Sequence, residues 1–125
     1  MIAIPEHVLQ VIRHPDSNRV MSTVSPDGFP HSIILSAIVV GQDGYIYVGE
    51  AYMYRTTEYL KTNPNAEFVT WKGKAGYSIK TVLKGRETEG DKLERMNLYL
   101  ERRNMYASAL LVFEPLEVWD ESLSD

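Results

Sequence analysis

Arg55, Thr56 and Thr57 stand together in Met53-Tyr54-Arg55-Thr56-Thr57-Glu58-Tyr59-Leu60, where a strand-to-helix loop opens a short helix. The first turn of a helix leaves backbone N–H groups unpaired, its dipole favours negative charge, and a guanidinium grips phosphate through two parallel bonds. The segment therefore has the parts of a phosphate seat. It has equally the parts of an ordinary threonine cap beside a surface arginine, and the spacing alone does not choose. Lys80, Lys84 and Arg86 alternate along one strand and so share a face. That face either adds charge to an anion site or forms a basic strand edge that discourages aggregation. His7, His14 and His31 are scattered without metal-ligand spacing, so no metal site is expected. The serines lack a nucleophile elbow, and Glu89, Asp91 and Glu94 read as a solvated turn and helix start. Eight tyrosines and two tryptophans offer stacking partners for a planar ligand.

Composition narrows the chemistry further. The 125 residues hold 13 Lys+Arg against 17 Asp+Glu, a formal charge of −4, and contain no cysteine. Disulfides, thiolate metal sites and a catalytic thiol are excluded. An acidic balance argues against broad nucleic-acid binding, which needs clustered cations to displace counterions. The longest apolar run, Ile33 to Val40, is too short to span a membrane, and the first residues lack the pattern of a secretory signal. One domain over residues 1–125, cytoplasmic, with no membrane or nucleic-acid partner, is the expectation. No GxGxxG, P-loop or HExxH motif is present.

The elements that must position these residues are mostly strands. Pro5 to His14 predicts an opening helix, stopped by Pro15. Val20 to Val24, the turn Ser25-Pro26-Asp27-Gly28, a long strand from Pro30 to Val40, the turn Gly41 to Gly44 and Tyr45 to Val48 predict a three-stranded meander. A two-turn helix capped by Thr56 or Thr57 ends at Asn63-Pro64. Strands Glu67–Trp71 and Tyr77–Lys84 follow, joined by a flexible basic connection, with a bulge at Gly85 before Arg86. Leu93, Met96 and Leu100 predict a helix from Asp91 to about Tyr106, and Ala109–Phe113 and Glu117–Trp119 close the chain before a frayed tail from 120 to 125. The order lacks βαβ alternation, which excludes a doubly wound dinucleotide fold and fits a mainly β, antiparallel small barrel with helices outside.

In Met21 to His31, in Arg55-Thr56-Thr57-Glu58-Tyr59-Leu60-Lys61-Thr62-Asn63-Pro64 and in Tyr106 to Pro115, the chain resembles the FMN-binding split-barrel superfamily, which includes pyridoxamine 5'-phosphate oxidase. The resemblance covers about Arg19 to Trp119. It implies an antiparallel split β-barrel with Greek-key character, a homodimer, and noncovalent FMN at the dimer interface. Arg55 and Thr56, in the loop opened by Met53, match the phosphate-binding pair. The stretch His31, Ser32, Ile33, Ile34, Leu35 and Ser36 then lies along the flavin ring and ribityl chain, with Gly49, Glu50 and Ala51 contributing. Lys84 is the next candidate for the phosphate, and Tyr106 is a lid from the partner subunit. Tyr59 replaces an asparagine common in relatives, and no substrate-phosphate motif for pyridoxamine oxidation is present. The implied function is redox chemistry with an unknown small-molecule substrate or electron-transfer partner. The alternatives are a noncatalytic FMN carrier or electron-transfer module, or a split barrel holding deazaflavin or haem.

Overall fold

A computed structural model describes residues 1–124; Asp125, the end of the expected tail, lies outside them. Helix α1 (Glu6–Ile12) precedes strands β1 (Asn18–Val24), β2 (Pro30–Ile34), β3 (Ile38–Val40) and β4 (Ile46–Gly49). Helix α2 (Tyr54–Thr62) leads to β5 (Asn65–Lys72) and β6 (Ala75–Glu87), and α3 (Asp91–Glu101) to β7 (Leu110–Asp120). All pairings are antiparallel, in the order β2-β1-β5-β6-β7-β4-β3. β4 lies beside β7 rather than β5, which is the Greek-key crossover.

The expected strand from Pro30 to Val40 is two strands, and the expected meander is two separate hairpins at opposite edges of the sheet. Only Leu35-Ser36-Ala37 joins them. Seven strands laid flat would put the outer strands about 29 Å apart, whereas the chain from Ile34 to Ile38 reaches about 14 Å at most. The sheet must therefore curl until its edges meet, leaving a split at the corner. Leu35 N–H donates to the Arg19 carbonyl (3.0 Å) on one side of that split, and Gly49 N–H donates to the Ala37 carbonyl (2.8 Å) on the other. Local apolar content could not reveal the break, because Leu35 and Ala37 are buried like strand residues.

Period-two alternation explains how β4 and β7 are apolar throughout. Ile46, Val48, Leu111 and Phe113 enter the barrel core, while Tyr47, Leu110 and Val112 face the other way onto Leu93, Met96 and Leu100 of α3. Val8 and Ile12 of α1, and Leu60 of α2, join the barrel core, where Phe68 meets Phe113 edge-on at 5.2 Å. The bulge falls at Lys84, between Leu83 and Gly85, one residue before the expected glycine, and a second register shift carries β7 unbroken through Pro115.

Three further expectations are corrected. α2 begins at Tyr54 with Met53 in the capping position, so neither threonine caps it. α3 ends at Glu101 because Asn104 turns into the left-handed region (φ 54°) and Met105 N–H returns to the Leu100 carbonyl. The tail is tied down where described: Glu121 and Leu123 donate to the carbonyls of Gly76 and Lys74, extending the β7 edge. Phe68→Ala should destabilise the chain by about 3–5 kcal/mol, since a fully buried ring is removed from a packed aromatic pair; urea unfolding measures it.

Candidate functional site

The split in the barrel is also where the chain is grooved. A cavity of about 140 Å³ is lined by residues 33–37, by Gly49, Ala51, Tyr52 and Met53, and by Met105. It brings together seven of the expected residues, Ile33, Ile34, Leu35, Ser36, Gly49, Ala51 and Met53. The corner, the end of β4 and the start of α2 are separated in sequence, and barrel closure alone assembles them. Gly49 is there for packing: a Cβ on it would lie 3.1 Å from the Ala37 Cβ and 3.2 Å from the Met96 Cγ. Tyr52 holds the left-handed conformation (φ 53°) with its side chain 87% exposed at the groove rim. For a bulky residue that conformation is costly, and such strain concentrates at ligand sites.

The other expected residues surround the groove or lie apart from it. His31 stacks edge-on against Tyr59 of α2 at 5.4 Å, and Ser32 shares a hydrogen bond with Ser22 (2.7 Å) on the exposed face of the β1–β2 hairpin. Arg55 is exposed on the first turn of α2 and makes no ion pair or side-chain hydrogen bond among the described residues. Thr56 points inward, 1% exposed, with its hydroxyl unpaired. Only its backbone N–H is placed to face a ligand. Lys84 pairs with Glu114 at 3.6 Å and does not line the groove, and Tyr106 is largely exposed after α3.

Helix α2 has no side-chain cap, and its first intrahelical bond runs from Thr57 N–H to the Met53 carbonyl. The N–H groups of Tyr54, Arg55 and Thr56 thus precede any intrahelical acceptor, and the helix dipole adds partial positive charge beside the Arg55 guanidinium. An anion fits this end of the helix.

Sequence reading missed the strongest polar cluster, which adjoins this helix start. The Glu50 carboxylate accepts from Arg86 Nε (3.0 Å) and Nη2 (2.7 Å), from Ser108 Oγ (2.8 Å) and from Thr57 Oγ1 (3.2 Å). The Arg86 hydrogen bond, against the opposing effect of burial, holds the Glu50 carboxyl below the ordinary carboxylate range, with Ser108 and Thr57 helping. Main-chain bonds from Glu50 N–H to Ala109 and from Ser108 N–H to Glu50 fix the pair of loops. Asn97 braces the same loop, exchanging two hydrogen bonds with the Ala107 backbone. The three cations of β6 are each matched to an acid, Lys80 to Glu117, Lys84 to Glu114 and Arg86 to Glu50. Of the three, Arg86 is the one that reaches the helix start. The carboxylates that claim them come from distant stretches, so no local spacing signals the cluster.

The likeness of this chain to known proteins lies in its fold. No family model matches the sequence, and no curated protein matches it significantly. Solved structures do match. An FMN-binding protein from Syntrophomonas wolfei superposes with a TM-score of 0.75 at 21% identity, covering 86% of this chain and 78% of that one. A candidate pyridoxamine 5'-phosphate oxidase from Lactobacillus delbrueckii gives 0.75 at 13%, covering 94% and 93%. An F420 reductase gives 0.73 at 14%, covering 93% and 98%. The chain shares the fold of these structures, the antiparallel split barrel that its resemblance in sequence implied. No helix among the described residues is long and apolar enough to cross a membrane.

The Glu50 cluster makes a pH prediction. A carboxyl held below its unfolded value contributes stability that is full above the ordinary value of 4.5 and is lost as the pH falls below it. Glu50→Gln should cost about 1–2 kcal/mol at neutral pH and lose less stability than the wild type on acidification; thermal unfolding at neutral and acid pH checks both.

Proposed function

We propose that the chain is an FMN-binding redox protein that holds the flavin noncovalently in the groove at the barrel split, with its phosphate at the start of α2. The observation that carries this reading is the convergence of the 33–37 corner and the Gly49–Met53 loop beside an uncapped helix start bearing an unpaired arginine. Arg55 binds the phosphate through its guanidinium, the N–H groups of the first turn donate to the same oxygens, and the corner backbone and Ser36 flank the ring. Bound FMN supplies the electron-carrying chemistry. Among the described residues the groove lining contains no Asp, Glu, His or Lys, which favours electron or hydride transfer over acid–base chemistry by the chain itself. The fold shared with an F420 reductase makes a deazaflavin the alternative ligand of the same seat.

A homodimer is part of the proposal. A groove of about 140 Å³ is smaller than the roughly 300–1,000 Å³ of sites that enclose a cofactor, so one chain supplies only part of the walls. Its rim leaves Ile34 88%, Tyr52 87% and Tyr54 79% exposed, an apolar and aromatic surface that a second copy would cover.

The visible absorption spectrum of the purified protein, followed by fluorescence titration with FMN, tests the reading. A yellow preparation, or saturable binding to the flavin-free chain, is expected. Arg55→Ala should weaken binding by about 1.5–3 kcal/mol, or roughly 10- to 150-fold. A colourless protein that binds neither FMN nor a deazaflavin would sink the proposal. Sedimentation should give a dimer, and Ile34→Asp with Tyr52→Asp should shift it to monomer.

A further inference from the structure

A second cavity, much larger than the groove, lies beside it. An open bay of about 950 Å³ lies between the end of α1, the β3–β4 hairpin and α3. Its walls carry Arg13, Arg19, Lys92, Arg95 and Arg103 against the single carboxylate of Asp43. That is five cations to one acid, in a chain whose formal charge is −4. Asp43 is already engaged, 3.5 Å from Lys92 Nζ and accepting the Tyr47 hydroxyl.

Of the other four cations three are held in place, and none of the four is paired with an acid among the described residues. Arg13 donates to the Val40 carbonyl at 2.9 Å, and Arg19 to the carbonyls of Ile12 and His14 at 2.7 Å each. Main-chain carbonyls orient a guanidinium but leave its charge in the bay. Arg103 lies over the Tyr99 ring at 4.0 Å, and Arg95 makes no ion pair or side-chain hydrogen bond among the described residues. Between these charges Ile38, Val39 and Tyr99 present apolar surface over a floor of buried Val40, Met96 and Leu110. The volume is within the range of small-molecule sites, and an apolar surface with a few convergent charges is their usual construction.

We propose that this bay binds a small amphipathic anion: a carboxylate, sulfonate or phosphate ester carried on an aromatic or aliphatic body. The anion faces the arginines and the body lies on the surface of Ile38, Val39 and Tyr99. Binding does not rest on the flavin reading, since none of the five cations belongs to α2 or to its phosphate seat. The bay and the groove both reach Ser36, so a ligand here abuts the groove; on the flavin reading, that is the place of the reacting partner.

The test uses the full, flavin-free chain, labelled with ¹⁵N and titrated with naphthalene-1-sulfonate and with its neutral analogue 1-naphthalenemethanol. Saturable shifts of the Val39, Gly41 and Arg95 amides are expected, with the amides of Tyr54 to Thr57 unmoved, and the neutral analogue should bind at least ten-fold more weakly. Arg95→Glu should weaken sulfonate binding at least ten-fold, Arg95→Gln should do so to a smaller degree, and Lys72→Glu, outside the bay, should change it less than two-fold. Equal binding of the neutral analogue, or equal loss in Lys72→Glu, would overturn the proposal. So would exclusion of the probe with bay amides that broaden as protein concentration rises, which would assign the bay to a second copy of the chain. FMN added to the same sample reports separately at Tyr54 to Thr57, so the two readings fail independently.

Discussion

Three residues, Leu35-Ser36-Ala37, connect strands at opposite edges of a seven-stranded sheet, and the rest of the architecture follows from how little distance they can span. A covalent link shorter than the flat sheet is wide leaves curling as the only solution. Curling encloses the core of Met21, Phe68, Ile79 and Phe113, and it places an irregular corner beside the end of β4 and the start of α2. Fold and groove have one origin. The corner's buried side chains, Leu35 and Ala37, anchor it from opposite sides of the split, and Ser36 between them is left exposed, facing both cavities.

The second organising feature is the two-sidedness of β4 and β7. Because every second residue faces α3, the helix is fixed against the outside of the barrel, and its charged side forms one wall of the bay. The same packing brings the 105–109 loop against β4, where Gly49 must lack a side chain to let Ala37, Met96 and Ala107 close in. The Glu50 carboxylate then locks this loop to α2 and β6 through Ser108, Thr57 and Arg86. A half-buried carboxylate with four donors is costly to disturb, and here it engages the β6 arginine within the protein itself rather than with a ligand. Positive charge at the groove is therefore left to Arg55 and the helix start, while the larger reserve of uncompensated cations lies in the bay.

Much of this was legible in the residues. The hairpin turns at Ser25–Gly28 and Gly41–Gly44, the helix at Leu93-Met96-Leu100 and the basic residue at the start of α2 announce themselves through turn chemistry and periodicity, which are local. The break at Ser36 was not legible, because a corner made of buried apolar residues has the composition of a strand. The capping position was not legible either: two adjacent threonines have the chemistry of a cap, whereas Thr56 is buried against the core and the cap lies one turn earlier, at Met53. The Glu50 cluster and the cationic bay were invisible for a stronger reason: Glu50, Arg86 and Ser108, like Arg19, Asp43 and Arg95, come from elements that meet only after the barrel closes.

The sequence by itself determined the antiparallel β character, the absence of thiol chemistry, the strand and helix inventory and the segment that could seat an anion, since each depends on neighbours along the chain. The tertiary structure decided where the long apolar stretch breaks, which cations are neutralised and which remain, and that the chain carries two adjoining cavities. Those outcomes depend on which residues become neighbours in space. The length of a three-residue corner, rather than the chemistry of any motif, determines that.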